Sequence, residues 1–148
     1  MLVLLVLLSA SSSAGEQAAT RLGVYTYSLS SDAGFGDELL DLFRRELGKQ
    51  LSSFGEMAYS RAEADVAVQF LGQGELTRRL GNGGEPEGYL FTPDENAPRM
   101  WALVHVGDYS RAFAIEGSGG RKMSELGKAI ADWMNDSSTA IRDRRVAR

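Results

Sequence analysis

The apolar residues of the chain repeat with two different periods, and these periods predict strands and helices in separate segments. Residues 22–29 (LGVYTYSL) and 64–71 (ADVAVQFL) are rich in β-branched or aromatic residues, and the second segment alternates between apolar and polar positions. Both segments therefore predict strands. Residues 100–106 and 110–116 predict a β-hairpin, because two further runs of this kind flank a Gly-Asp turn.

Two other segments show the three- and four-residue spacing of an amphipathic helix. The first predicts a helix at about 35–53, with its apolar stripe formed by Leu39, Leu40, Phe43, Leu47, Leu51 and Phe54. The second predicts a helix that begins at about Lys122 and runs past Met134, with its stripe formed by Met123, Leu126, Ile130, Trp133 and Ile141.

The long segment 81–99 (GNGGEPEGYLFTPDENAPR) contains all three prolines of the chain and predicts irregular structure. Within it, Tyr89, Leu90 and Phe91 form a short apolar island. Leaving large apolar side chains in water costs roughly 25 cal/mol per Å² of surface. The three residues therefore either fold back as an extra edge strand or present a partner-binding patch, and the sequence leaves both interpretations open.

The predicted order of elements is β-α-β-(loop)-β-β-α, and this order predicts an α+β two-layer sandwich. Because the last strands are consecutive, we expect a mainly antiparallel four-stranded sheet, with a fifth strand if residues 89–91 pair. Two helices would cover one face of the sheet. The architecture is similar in outline to small two-layer domains of bacterial envelope accessory proteins, although no motif is shared.

Residues 1–14 (MLVLLVLLSASSSA) predict a signal peptide, because an unbroken apolar run is followed by small residues. Seven apolar residues in a helix span about 10 Å, far less than the roughly 30 Å core of a membrane. We therefore expect an exported protein, periplasmic or secreted, without a transmembrane segment in the mature chain. Residues 15–148 would form a single domain.

The charge is distributed unevenly along the chain. The formal net charge is −4, but residues 141–148 (IRDRRVAR) carry a local +3, which leaves −7 on the rest. An acidic body excludes a typical nucleic-acid binder, which needs a basic face. The basic tail predicts contact with an anionic envelope surface or an acidic partner, and alternatively its cations satisfy the negative end of the last helix dipole. The residues concerned are Arg142, Arg144, Arg145 and Arg148.

A glycine-rich connection, residues 114–126 (AIEGSGGRKMSEL), stands between the last predicted strand and the last helix. A phosphate-binding P-loop would require glycine, glycine and serine or threonine where this chain has Glu116, Arg121 and Met123. The dinucleotide pattern fails as well, since Lys122 stands at its third glycine. We therefore predict no nucleotide cofactor, and a flexible connection with glycines at positive φ.

His105 is the only histidine, and the chain has no cysteine. This composition excludes disulfides, thiolate nucleophiles and typical zinc sites. On a strand His105 shares a face with Trp101 and Leu103, which favours a half-buried packing role. A Ser–His–Asp site would have to use Ser110 and Asp108 of the same hairpin, so we predict neither a catalytic residue nor a metal site.

These observations predict a non-enzymatic exported domain that recognises another envelope protein, through the 81–99 segment or an exposed sheet edge. The alternative is a small-ligand-binding domain or a carboxylate-based hydrolase that uses His105. The position of His105 distinguishes the two hypotheses. Burial against Trp101 in an apolar wall supports the first, and a cleft shared with acidic side chains supports the second.

Overall fold

The structure is a computed structural model in which residues 21–28, 36–80, 82–83 and 86–146 are described. The predicted signal peptide lies outside these residues. Besides a 3-10 helix of three residues at Arg61–Glu63, the described part of the chain contains six strands and three α-helices. In chain order they are β1 (Leu22–Ser28), α1 (Gly36–Leu51), β2 (Gly55–Met57), β3 (Val66–Leu80), β4 (Pro86–Pro93), β5 (Arg99–Val106), β6 (Tyr109–Glu116), α2 (Gly120–Asp136) and α3 (Ser138–Val146).

The six strands form one mixed sheet that curls into a half-barrel. Five of them follow the order β2-β1-β3-β5-β6, and β4 pairs with the second half of β3. β1 runs parallel to both β2 and β3, whereas the β3–β4, β3–β5 and β5–β6 pairs are antiparallel. The sheet thus combines a parallel half near the first helix with an antiparallel half.

The predicted mainly antiparallel four-stranded sandwich with two helices is wrong. After β1 the chain passes through α1 before it enters the sheet again. A helical crossover of this kind places the strands that follow it parallel to the strand that precedes it, and β2 and β3 are both parallel to β1. β2 has only three residues, too few to produce a repeating pattern of apolar positions. β4 lies in the segment predicted to be irregular, where the alternative of an extra strand proves correct for Tyr89, Leu90 and Phe91.

The hydrophobic core lies between the helices and one face of the sheet. Alternate residues of the central strands contribute to it, and the rings of Phe43 on α1 and Phe70 on β3 stack with centroids 4.9 Å apart. The helical stripe predicted up to Ile141 is interrupted at Ser137, so that Ile141 belongs to α3 but is still buried. None of the described helices is both long and apolar enough to cross a bilayer.

β3 bends at Gly72, where the backbone adopts a φ of +80° and the register with β5 shifts. This register shift is a β-bulge, which bends the strand that contains it, and glycine accommodates the positive φ. Beyond it, β3 continues away from β1 and pairs with β4. We call this two-stranded extension, Gly74–Leu80 with Pro86–Pro93, the arm.

The glycine-rich connection between β6 and α2 has the predicted backbone. Gly117 and Gly119 adopt φ values of +100° and +99°, a region that residues with a Cβ rarely enter. The prediction of glycines at positive φ is thus confirmed.

Candidate functional site

The face of the sheet opposite the helices is open over part of its area, and we call it the open face. Side chains that alternate with the core residues point to it, and the arm lies along it. Two adjoining clefts, of about 480 and about 570 Å³, separate the arm from the open face. They share Gln69, Tyr89 and Leu103, and together we call them the groove.

One end of the groove is apolar. Tyr89, Leu90 and Phe91 lie in register with residues 76–78 of β3. Tyr89 and Phe91 are half-buried, whereas the side chain of Leu90 is 52% exposed. The structure thus places all three predicted partner-binding residues in one cleft. It adds residues that sequence reasoning did not associate with them, namely Leu71, Leu76, Pro93 and Leu103.

The other end of the groove is polar and is organised around His105. Its Nδ1 lies 2.7 Å from the Ser110 hydroxyl, directly across the β5–β6 pair. Its Nε2 lies 3.3 Å from Oε1 of Gln69 on β3. Because the amide oxygen only accepts, Nε2 carries the proton and donates to Gln69, and Nδ1 accepts the hydrogen bond from Ser110. This end also includes Arg78 and Asp108.

Burial lowers the pKa of the His105 imidazole below its ordinary value of 6.5, and the positive charge of Arg61 lowers it further. Arg61 lies above the ring of Tyr27, with 5.3 Å between the guanidinium carbon and the ring centroid. The Tyr27 and His105 rings are 6.5 Å apart. His105 is therefore neutral at pH 7, with one nitrogen that donates and one that accepts.

His105 occupies neither of the two environments that the hypotheses distinguished. It is half-buried and points to the same face as Leu103, as predicted. Trp101, however, contacts the base of the arm, where its indole N–H donates to the carbonyl of Gly74 over 2.9 Å. His105 lines two clefts, and each contains one acidic residue, Asp108 in the larger cleft and Asp65 in the smaller one. Among the described residues no three potential metal ligands lie together.

The basic tail is only partly described. Arg144 is exposed, and its guanidinium carbon lies 5.1 Å above the centroid of the Tyr109 ring. Arg142 is half-buried. The side chain of Arg145 and the whole of Arg148 lie outside the described residues.

Arg111 on β6 is a neighbour of the tail that sequence reasoning missed. Its guanidinium carbon lies 4.9 Å from the ring centroid of Phe113 and 5.6 Å from that of Trp133. The alternation of Tyr109, Arg111 and Phe113 on one face of a strand was visible in the sequence. Their contact with Trp133 depends on how α2 packs against β6.

No protein-family model matches the chain, and no curated protein matches it significantly. Among solved structures, the PelC dodecamer of Paraburkholderia phytofirmans is similar at 13% identity over 75% of this chain and 82% of that chain, with a TM-score of 0.36. A second structure, a PelC dodecamer from the same organism without the substitution that the first one carries, gives 15% identity over 75% of this chain and 85% of that chain, with a TM-score of 0.35. The competence damage-inducible protein A of Klebsiella pneumoniae gives 11% identity over 86% and 95%, with a TM-score of 0.36. Similarity at this level assigns neither a family nor a function.

Proposed function

We propose that this chain is an exported, non-enzymatic binding domain that recognises another envelope protein through the groove. The observation that carries the proposal is the apolar cleft of about 480 Å³ between the arm and the open face. Residues 1–14, with their apolar run and small residues, support export.

The chemistry of the groove suits an extended polypeptide segment. At the apolar end, a partner side chain that covers Leu90 and Tyr89 removes apolar surface from water, which is favourable by roughly 25 cal/mol per Å². At the polar end, neutral His105, Ser110 and Gln69 present groups that donate and accept hydrogen bonds. An extended backbone exposes both kinds of group along its length.

Site-specific photo-crosslinking tests the proposal. We expect benzoylphenylalanine at position 90 to capture a discrete protein from an envelope extract. Leu39 on α1 provides the matched control, because it is a leucine of similar exposure (45%, against 52% for Leu90) outside the groove. The same adduct should not form from position 39.

Matched charge variants complete the experiment. Leu90→Asp should abolish co-purification of the crosslinked protein, and Leu39→Asp should retain it. Equal capture from positions 90 and 39, or equal loss in the two aspartate variants, would contradict recognition through the groove.

A second candidate function is the binding of a small ligand at the polar end. It is favoured by one observation, the presence of Arg78 in the same cleft as the His105–Ser110 pair. Because the chain has one histidine, the imidazole gives a single set of NMR signals that reports directly on this cleft. Small carboxylates and phosphates should shift these signals in the wild type but not in Arg78→Gln. Unchanged signals across the panel would exclude this candidate.

We propose in addition that the basic tail contacts anionic groups in the envelope. Arg144 supports this proposal, since its stacking on Tyr109 holds a cation at the surface.

A further inference from the structure

Two arginines and three aromatic rings form a continuous stack where β6 meets the C-terminal helices. We call it the arginine–aromatic cluster. The Tyr109 and Trp133 rings stack with centroids 6.2 Å apart, and Phe113 meets the edge of Trp133 at 5.8 Å. Arg144 lies over Tyr109, and Arg111 lies over Phe113 and Trp133. A cleft of about 190 Å³ opens between Tyr109, Trp133 and Arg144.

The two guanidiniums of the cluster have no carboxylate within 4.0 Å in the described part of the chain. On α2, Asp132 already pairs with Lys128 at 2.8 Å, and on β6 Glu116 pairs with Arg99 at 3.8 Å. Stacking fixes the plane of a guanidinium but leaves the N–H groups at its edge free to donate. Arg111 and Arg144 are therefore oriented to receive carboxylates from outside.

Three residues of the cluster, Tyr109, Arg111 and Phe113, belong to β6, which is an exposed edge strand of the sheet. β6 ends the strand order and, within the residues that the structure describes, pairs only with β5. Four of its residues are exposed, including Tyr109 and Arg111. An edge of this kind presents unpaired N–H and C=O groups along one side, which an added strand from a partner can satisfy.

We propose that this edge is a binding site for an acidic polypeptide segment, which adds as a strand beside β6 and pairs its carboxylates with Arg111 and Arg144. The spacing of the site supports a strand. Arg111 belongs to β6, and Arg144 lies over the ring of Tyr109, two residues before Arg111 on the same strand. Residues two apart on an added strand also share a face, about 6.6 Å from each other, so two acidic side chains on that face can each meet one arginine. The preferred partner sequence therefore has acidic residues at alternate positions.

This inference deepens the proposed contact of the tail with anionic groups and rests on it. Arg111 and Arg144 lie outside the groove, whereas Tyr109 borders both the groove and the cluster. Its test uses two fluorescent peptides of identical composition, one with two glutamates at alternate positions and one with them adjacent. Adjacent residues of a strand point to opposite faces, so only the alternating peptide can reach both arginines. We expect it to bind at least about tenfold more tightly in fluorescence anisotropy, as one charge-assisted hydrogen bond implies.

Arginine variants of the full chain locate the binding. Arg111→Gln and Arg144→Gln should each weaken the alternating peptide by about tenfold. Arg45→Gln, which removes an exposed arginine on α1, provides the matched control and should leave binding unchanged. Circular dichroism and urea unfolding establish that each variant is folded before binding is measured.

Three results would overturn the proposal: equal affinity for the two peptides, absence of binding for both, or equal weakening by Arg45→Gln. Phosphatidylglycerol vesicles form the last arm of the experiment. One further outcome is that the wild type binds the vesicles but neither peptide, and that Arg111→Gln and Arg144→Gln no longer bind the vesicles. In that case the cluster is a lipid-binding site. That result would overturn the acidic-strand proposal while it supported the broader contact with anionic groups.

Discussion

At the scale of single residues, hydrogen bonds satisfy the polar groups that the fold buries. Among the residues that the structure describes, every buried side-chain nitrogen and oxygen has a partner. Thr26 accepts from Nε of Arg44 over 2.8 Å, and Gln69 accepts from His105. A buried polar group without a partner costs about 1–3 kcal/mol, so these pairings permit polar residues in the sheet. Of the residues in these hydrogen bonds, only His105 has a side chain whose charge changes near neutral pH.

The lowered pKa of His105 predicts a specific pH dependence of stability. Between the folded and unfolded pKa values the unfolded chain binds a proton that the folded chain does not, so stability falls as the pH drops below about 6.5. His105→Gln removes this contribution. We expect the melting temperature of the wild type to fall more between pH 7.5 and 5.5 than that of the variant. Parallel curves, or an NMR pKa for His105 at or above 6.5, would contradict the assignment.

At the scale of secondary-structure elements, backbone and side-chain hydrogen bonds at its base hold the arm to the sheet. An isolated two-stranded ribbon is at best marginally stable in water. Here Asp94 N–H donates to the backbone carbonyl of Gln73 over 3.1 Å, and the side-chain Nε2 of Gln73 donates to the carbonyl of Ala97 over 3.2 Å. Gly74 contributes through its lack of a side chain, since a Cβ would collide with Thr92 O and lie 2.5 Å from the Phe91 ring.

Gly74→Ala is therefore expected to destabilise the arm. The added Cβ clashes with the backbone carbonyl of Thr92, and this clash is relieved only if β4 moves. We therefore expect a loss of about 1–3 kcal/mol in the free energy of unfolding. Urea unfolding measures the loss, and faster amide exchange in β4 locates it. Gly120→Ala at the start of α2 provides the control, because its nearest contact is Leu42 at 3.9 Å and alanine favours a helix. Unchanged stability and exchange in Gly74→Ala would show that β4 does not approach this closely.

At the scale of the whole molecule, the sheet separates a buried face, which is covered by the helices, from the open face, which carries the proposed binding groove. The helices cover one face, where Phe43, Leu47 and Met134 are fully buried. The groove lies on the opposite face, where Leu90 remains 52% exposed. The free energy of unfolding of a native domain is only about 5–15 kcal/mol. A truncation on the buried face should therefore remove a large share of it, whereas a truncation on the open face should remove little.

Matched truncations on the two faces test this division. Phe43→Ala removes a ring that stacks on Phe70 and should lower the free energy of unfolding by about 3–5 kcal/mol. Leu90→Ala removes an exposed side chain and should change it by no more than about 0.5 kcal/mol. Denaturant titration measures both values. A loss for Leu90→Ala that approaches that of Phe43→Ala would place β4 in the core rather than at a binding surface.

Local patterns in the sequence were sufficient to identify most elements and the core. The stripe of α1 and the hairpin at Gly107 depend on residues close in the chain, and both appear in the structure near their predicted bounds. The alternation at 64–71 identified only the first half of β3, which continues to Leu80. The positive φ of Gly117 and Gly119 follows from the absence of a Cβ, which is equally local. Burial follows for most of the predicted stripes, because periodicity specifies which side chains share a face. Leu39 is the exception on α1, since its side chain is 45% exposed.

Tertiary structure was required for every feature that joins distant segments. The parallel direction of β1, β2 and β3 depends on the path of the chain through α1. β2 is defined only by its pairing with β1, because three residues are too few to show an alternation of apolar and polar positions. The groove brings Leu76 and Phe91 of the arm against Leu103, and Gln69 against His105, which is 36 positions away. The arginine–aromatic cluster likewise needs α2 to bring Trp133 to Arg111. Such contacts arise from packing between elements, which the periodicity of one segment does not specify.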